Sequence, residues 1–286
     1  MVSVLGLGDN TIDVYLDEAL GFPGGNAVNV SVFCSRLGAR SAYLGAVGDD
    51  IHGERLLASL ARESVDVSRC QTVKGNNAWA CVENNHGDRR FLGSDAGVCK
   101  RLELSPAIQT YISQFDAVHT STYSGLDQRL PELHGACKKL SYDISDDWTD
   151  RQLRAVCPYV DILFISASDQ SELECQLLAQ RCLDLGAHQV VMTRAGQGSM
   201  AFTTEISAKQ PAVETTVVDT MAAGDGFIAA YLTASLAGKT LDQCLSEGAV
   251  YAAQVCREEG GFGHRFSISP EFHERLTKEF RGEKSI

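Results

Sequence analysis

Asp219-Thr220-Met221-Ala222-Ala223-Gly224-Asp225-Gly226-Phe227 is the stretch from which the rest of this chain can be read. Just upstream, Thr215-Thr216-Val217-Val218 is β-branched and predicts a strand. Downstream, Phe227 to Ala237 contains neither Pro nor Gly and places Phe227, Ile228, Tyr231 and Leu232 on one helical stripe. The expected unit is therefore strand, tight turn of small residues, helix. At such a junction small side chains let backbone N–H groups crowd around an anion, and the helix dipole adds partial positive charge at the same point. Asp225 falls in the first helical turn. It either caps the helix or accepts a proton from a hydroxyl that attacks whatever the turn holds, and the second role points to phosphoryl transfer.

The N-terminal region supplies groups suited to a polyhydroxylated ligand. A short apolar strand, Val2 to Leu7, leads into Gly8-Asp9-Asn10-Thr11-Ile12-Asp13, and Gly24-Gly25-Asn26-Ala27-Val28-Asn29 opens a helix expected to run to Gly38. Paired glycines before a helix allow a ligand close to the backbone, and Asn26 and Asn29 share one helical face. Further strands are expected at Ala42–Val47, Ala117–Thr120, Leu140–Asp143, Val160–Ser166 and Gln189–Met192, with helices near Glu54–Arg62, Pro106–Gln114, Pro131–Lys138 and Leu173–Leu185. That alternation predicts an α/β fold with a mainly parallel sheet covered on both faces. Thr11–Gly21 and Asn77–Gly93 are strand-like but interrupt it, with Asn84-Asn85-His86-Gly87 as a hairpin turn.

These segments resemble the ribokinase/phosphofructokinase-B carbohydrate kinases. The family signature Asp-Thr-x-Gly/Ala-Ala-Gly-Asp-x-Phe is matched by Asp219 to Phe227, and Gly45-Ala46-Val47-Gly48-Asp49-Asp50-Ile51-His52-Gly53 fits a second family element. The resemblance implies a three-layer αβα fold of one domain spanning residues 1–286, with a small β lid at about 11–21 and 77–93. It implies Asp225 as the base, Ala222, Ala223 and Gly224 as the anion hole, and Asp13, Gly25 and Asn29 as sugar contacts. ATP and Mg²⁺ are the implied cofactors, together with K⁺ or another monovalent cation near Asp219. A homodimer through the lid is a further expectation.

Two elements depart from the family pattern. Its Asn-x-x-Glu, which helps organise magnesium and phosphate, falls at Ser166-Ala167-Ser168-Asp169, where Asp169 keeps only the carboxylate. Its nucleotide-side Thr-x-Gly-x-x-Gly reads Thr193-Arg194-Ala195-Gly196-Gln197-Gly198, leaving Thr193 and Gly198 as the expected ATP contacts. Within the family, Gly8 to Tyr15, Gly24 to Val30 and Tyr142 to Trp148 are similar to the corresponding stretches of bacterial fructoselysine 6-kinases. The acceptor implied is a fructosamine, with Arg89 or Arg90 candidates for its carboxylate. Another sugar, a nucleoside, or a non-catalytic sugar-binding role on the same scaffold remain open readings.

Composition agrees with such an enzyme and argues against several other classes. The 286 residues are 44% hydrophobic, and no 18-residue apolar run is long enough to span a bilayer. A net charge of −12 disfavours nucleic acid or an anionic membrane as partner. Met1 stands almost directly before the first strand, so no signal peptide is expected, and the ten cysteines, with no Cys-x-x-Cys, suit a reducing cytoplasm. The seven histidines are scattered and read as structural. Gly238-Lys239-Thr240 is not a P-loop, because position 233 is Thr, and Gly238 reads as a helix C-cap. Gly6-Leu7-Gly8 lacks the third glycine of a dinucleotide fingerprint.

Overall fold

The computed structural model describes residues 1–85 and 88–282, without the side chains of 84, 85, 88 and 89. The strands are β1 (Ser3–Leu7), β2 (Thr11–Tyr15), β3 (Leu20–Gly24), β4 (Arg40–Leu44), β5 (Ala46–Gly48), β6 (Gln71–Val73), β7 (Trp79–Asn85), β8 (Asp88–Asp95), β9 (Ala117–Ser121), β10 (Leu140–Asp143), β11 (Ile162–Ser166), β12 (Gln189–Thr193), β13 (Ser199–Phe202), β14 (Ser207–Gln210) and β15 (Phe266–Ser267). The helices are α1 (Asn26–Arg36), α2 (Ile51–Arg62), α3 (Pro106–Ile112), α4 (Leu130–Ala136), α5 (Asp150–Val156), α6 (Glu172–Asp184), α7 (Ala223–Leu236), α8 (Leu241–Val255) and α9 (Pro270–Arg281).

Eight strands form the main sheet in the order β14-β13-β12-β11-β10-β9-β1-β4, parallel from β4 to β12 and antiparallel at the β13 and β14 end. Alternation along each strand separates two cores. Val4, Ile162, Phe164 and Val191 pack with Val28 and Val32 of α1, Ile228 and Leu232 of α7, and Leu245 of α8. Their neighbours Leu5, Leu163, Ile165, Val190 and Met192 pack on the other face with Ile112, Leu133, Leu153 and Leu178 of α3 to α6. Each such aliphatic side chain contributes roughly 1.5–3 kcal/mol by leaving water. The result is the expected three-layer αβα arrangement.

A smaller sheet, ordered β15-β3-β2-β7-β8, takes up both segments that interrupt the alternation and adds β15. One of its faces carries Tyr15, Phe22 and Val82 and meets Met221 before α7. The opposite face, with Ile12, Val14, Trp79 and Cys81, is covered by α9, whose Phe272 and Phe280 rings lie 5.9 and 6.2 Å from Trp79.

Thr215 to Val218 does not form the expected strand. Its β-branched residues keep the backbone extended, but a ladder also needs a partner strand, and its hydrogen bonds go instead to the end of α8. Thr215 Oγ1 donates to the Ala253 carbonyl at 3.0 Å and the Val218 N–H to that of Cys256 at 2.8 Å. Ala42 to Val47 is divided at Gly45, where the chain leaves the main sheet as β5 to pair with β6. Gly238 takes φ 76 just past α7 and Thr240 caps α8, as expected of a helix junction rather than a P-loop. All ten cysteines are free, and no helix among the described residues is long and apolar enough to cross a membrane.

Candidate active site

In open α/β sheets ligands collect outside the carboxyl ends of the strands, where the strand order reverses. Here the chain goes from β1 outward to β4 and returns to the other side of β1 as β9. Asp9 follows β1, and β9, β10, β11 and β12 end in Ser121, Asp143, Ser166 and Thr193. The N-termini of α1 and α7 converge on this edge.

Gly25 makes the entrance to α1 possible. It has φ 108, and a Cβ there would stand 2.7 Å from Asn10 Cα. The first turn of α1 is then held by Asp9, whose carboxylate accepts from the Ala27 N–H at 3.3 Å and from the Ser121 and Ser124 hydroxyls at 2.9 Å each. Asn26 and Asn29 project from α1 to one carboxylate. Asn26 Nδ2 donates to Asp225 Oδ1 at 2.8 Å and Asn29 Nδ2 to Asp225 Oδ2 at 2.6 Å. A capping role for Asp225 is thereby excluded: the α7 cap is Ala222, in a left-handed conformation with φ 59 and no side-chain bond, while Asp225 is the third helical residue and its oxygens face α1.

Burial is the main influence raising the Asp225 carboxyl to about 7; Asn29 opposes it, nearby Asp143 and Asp9 add to it, and Asn26 opposes it again. Asp143 is pushed up to about 6, also chiefly by burial. Asn26 Nδ2 donates to Asp143 Oδ2 at 2.9 Å as well as to Asp225, so one amide serves both acids. A carboxyl whose pKa is raised towards neutrality, held by two amides at the start of α7, is suited to accept a proton.

Beside it, a cavity of about 470 Å³ reaches the first turn of α7 at Thr220, Ala223 and Gly224 and is also lined by Ser166, Thr193 and Gly198. Its volume falls in the ~300–1,000 Å³ range of small-molecule sites. No carboxylate lines it. That suits a polyanion in a protein of net charge −12, and Val213, Val217, Ala249 and Ala253 give it apolar walls for a base. A Cβ at Gly224 would meet nothing within 4 Å, so the cavity is open at the start of α7, where the Ala223 N–H donates to the Thr220 carbonyl at 3.2 Å. Gly198 has φ 92, and its Cβ would lie 2.1 Å from the Gln210 carbonyl oxygen, which accounts for glycine there. Ala195 and Ala222 both take left-handed φ values, 47 and 59, a conformation that costs an L-residue ~1–2 kcal/mol.

Asp13 is buried on β2, on the Tyr15 face of the small sheet. Asn29 Oδ1 and Thr11 Oγ1, flanking the Gly24-Gly25 turn, are buried with no hydrogen-bond partner among the described residues. Ligand hydroxyls would satisfy them. Asp169 is exposed and does not line the cavity, and no cluster of three or more His, Cys, Asp or Glu side chains among the described residues could hold a metal. Mg²⁺ keeps several waters and is commonly carried on substrate phosphates. Asp219, fully buried, accepts from the Tyr15 hydroxyl at 2.8 Å, the Met221 N–H at 2.7 Å and the Gly260 N–H at 2.7 Å. Arg90 is exposed opposite Glu83 on β8, whereas the Arg89 side chain and the turn at His86 and Gly87 lie outside the described residues.

Sequence reasoning paired Asn26 with Asn29 as a hydroxyl-binding group but left Asp9, Asp143 and His119 out of the site. The positions of Asp9 and Asp143 at the ends of β1 and β10 were the available signal; His119, inside β9, offers none.

The description "pfkB family carbohydrate kinase" matches residues 15–263. Fructosamine kinase FrlD of Bacillus subtilis (strain 168) is 39% identical over 269 residues, 93% of this chain and 94% of that protein. Fructoselysine 6-kinase of Escherichia coli (strain K12) is 35% identical over 262 residues, 92% of this chain and 100% of that protein. Among solved structures, Arabidopsis thaliana ribokinase complexed with ribose and ATP superposes with a TM-score of 0.79 at 19% identity, covering 97% of this chain and 98% of that one, a likeness of fold. With the family description spanning most of its length and two relatives above 30% identity along nearly all of it, the chain belongs to the pfkB family of carbohydrate kinases.

Proposed function

We propose that this kinase transfers the γ-phosphate of ATP to a primary hydroxyl of a fructosamine, a fructose unit carried on an amine. The observation that carries the chemistry is Asp225, fixed by Asn26 and Asn29 at the open first turn of α7 with its carboxyl raised to about 7. Bound nucleotide with Mg²⁺ supplies the phosphoryl group and neutralises its charge. Asp225 takes the proton from the acceptor hydroxyl. The N–H groups of the Ala222 to Gly224 turn meet the transferring phosphoryl oxygens, and Thr193 and Gly198 border the rest of the nucleotide. Asp13, Gly25 and Asn29 orient the sugar. Because the base works only when deprotonated, kcat/KM should rise about tenfold per pH unit up to about pH 7 and then level. A rate independent of pH between 5.5 and 8 would contradict the assignment of Asp225.

The acceptor rests on the two relatives above, which are named for fructosamine and fructoselysine. Contacts to the amine portion release binding energy that can be used at the reacting hydroxyl. In an ATP-consumption assay a fructosyl-amino acid should therefore show kcat/KM at least about tenfold above free fructose. Equal or better turnover of fructose, ribose or adenosine would remove the fructosamine and keep the kinase.

Finer parts of the reading concern the surroundings. One chain-long domain with the small sheet as a lid over the sugar is supported by the position of Tyr15 and Asp13 on its inward face. Asp169 would reach the metal through water. A monovalent cation such as K⁺ would lie near Asp219, and its loss should lower kcat. For a homodimer, α9 covers the outer face of the small sheet and leaves edge strand β8, where Phe91 is 61% exposed.

A further inference from the structure

Asn26 is held on its far side by His119. His119 Nε2 lies 2.8 Å from Asn26 Oδ1, and His119 Nδ1 lies 2.8 Å from the Ser141 hydroxyl. Hydrogen-bond logic assigns the atoms. Asn26 Nδ2 faces two carboxylates and must be the amide nitrogen, so Oδ1 accepts and His119 Nε2 carries the proton. His119 Nδ1 is then the acceptor for the Ser141 hydroxyl. The series Ser141, His119, Asn26 donates in one direction throughout and ends on Asp143 and Asp225. Each bond polarises the next.

His119 is fully buried, and burial holds its imidazolium down to about 3, so the ring stays neutral wherever the enzyme works. It is a rigid connector rather than a proton carrier. Without it, Asn26 Oδ1 loses its donor, and the amide is held only from the side of the two acids, free to tilt about its bonds to them. We propose that His119 is a positioning residue for catalysis, its Nε2–H fixing the Asn26 amide so that both N–H groups stay on the Asp225 and Asp143 carboxylates. This rests on Asp225 as the base.

The consequence is a displaced pH profile. Donors to a carboxylate favour its charged form, so losing the Asn26 N–H raises the Asp225 carboxyl further. The other groups facing Asp225 are Asn29, Asp143 and Asp9, while Tyr123 feels Asp225 from the turn after β9; none is a cation that would offset the loss. In His119→Leu the acid limb of kcat/KM should move up by about one pH unit, with about tenfold less activity at pH 6 than wild type and a smaller deficit at pH 8.5. His119→Gln, whose amide N–H can reach Asn26 Oδ1, should restore the wild-type limb. His119→Asn, which replaces the Nδ1 side of the ring, should behave like Leu.

A lowered Tm with an unmoved limb in both Leu and Asn variants would overturn the inference and leave His119 a packing residue. Should His119→Leu fail to fold, the contrast between Gln and Asn decides, and equal limbs in those two would equally overturn it. Asp225→Asn in the same series separates the two ideas. If that variant turns over normally, the base itself is misassigned. If it is inactive while the His119 limbs stay in place, only the positioning role falls.

Discussion

Asp225→Asn should lower kcat by ~10²–10⁴-fold with at most a few-fold change in sugar KM. An amide of the same size keeps most contacts but has no proton-accepting power at neutral pH. It also has one acceptor oxygen where Asp225 presents two, so it can satisfy Asn26 or Asn29 but not both. That mismatch accounts for the small change in KM and for a modest loss of thermal stability. Steady-state kinetics at pH 8, with the melting temperature as a check on folding, measures it. Near-normal turnover in a folded Asp225→Asn protein would refute the base.

Gly224→Val should be almost as damaging for the opposite reason: it adds matter where the chain leaves space. The position is inside α7, where valine is no worse than glycine for the helix, and a Cβ there meets nothing within 4 Å. The fold should therefore stand. The added methyls project into the cavity at the first-turn N–H groups, where the transferring phosphate must approach. Loss of such donors typically costs ~10²–10³-fold in kcat. ATP turnover should fall by that much while the melting temperature stays within a few degrees of wild type. Full activity with an unchanged ATP KM would place the phosphate elsewhere.

Much of this site can be read from local spacing. The turn from Met221 to Gly224, the carboxylate that follows it, and the two asparagines three apart on α1 each lie within a few residues, so short-range pattern reveals them. The helix over Phe227 to Leu236 follows from periodicity for the same reason, whereas the division of the interior into two cores follows from the sheet. What could not be read is whatever the sheet order assembles. Asp9, Asn26, His119, Asp143 and Asp225 come together only because β1, β9 and β10 are neighbours and α1 and α7 cross their ends. Thr215 to Val218 misled because β-branching reports an extended backbone and says nothing about whether another strand lies alongside. Helices α5 and α9 are not legible from periodicity, although their caps, Thr149 and Ser269, carry the usual side-chain chemistry.

The bonds at Asp219 join the small sheet to the turn that precedes α7. Tyr15, on the small sheet, and Met221 and Gly260, around the mouth of the phosphate turn, all donate to this one buried carboxylate. Losing the Tyr15 hydroxyl as a donor to this buried acid would cost about 1–3 kcal/mol. Strand and turn are thus registered against each other by a shared debt of solvation. Such a linkage makes the ring of Tyr15, on a separate sheet, part of what holds the turn before α7 in place.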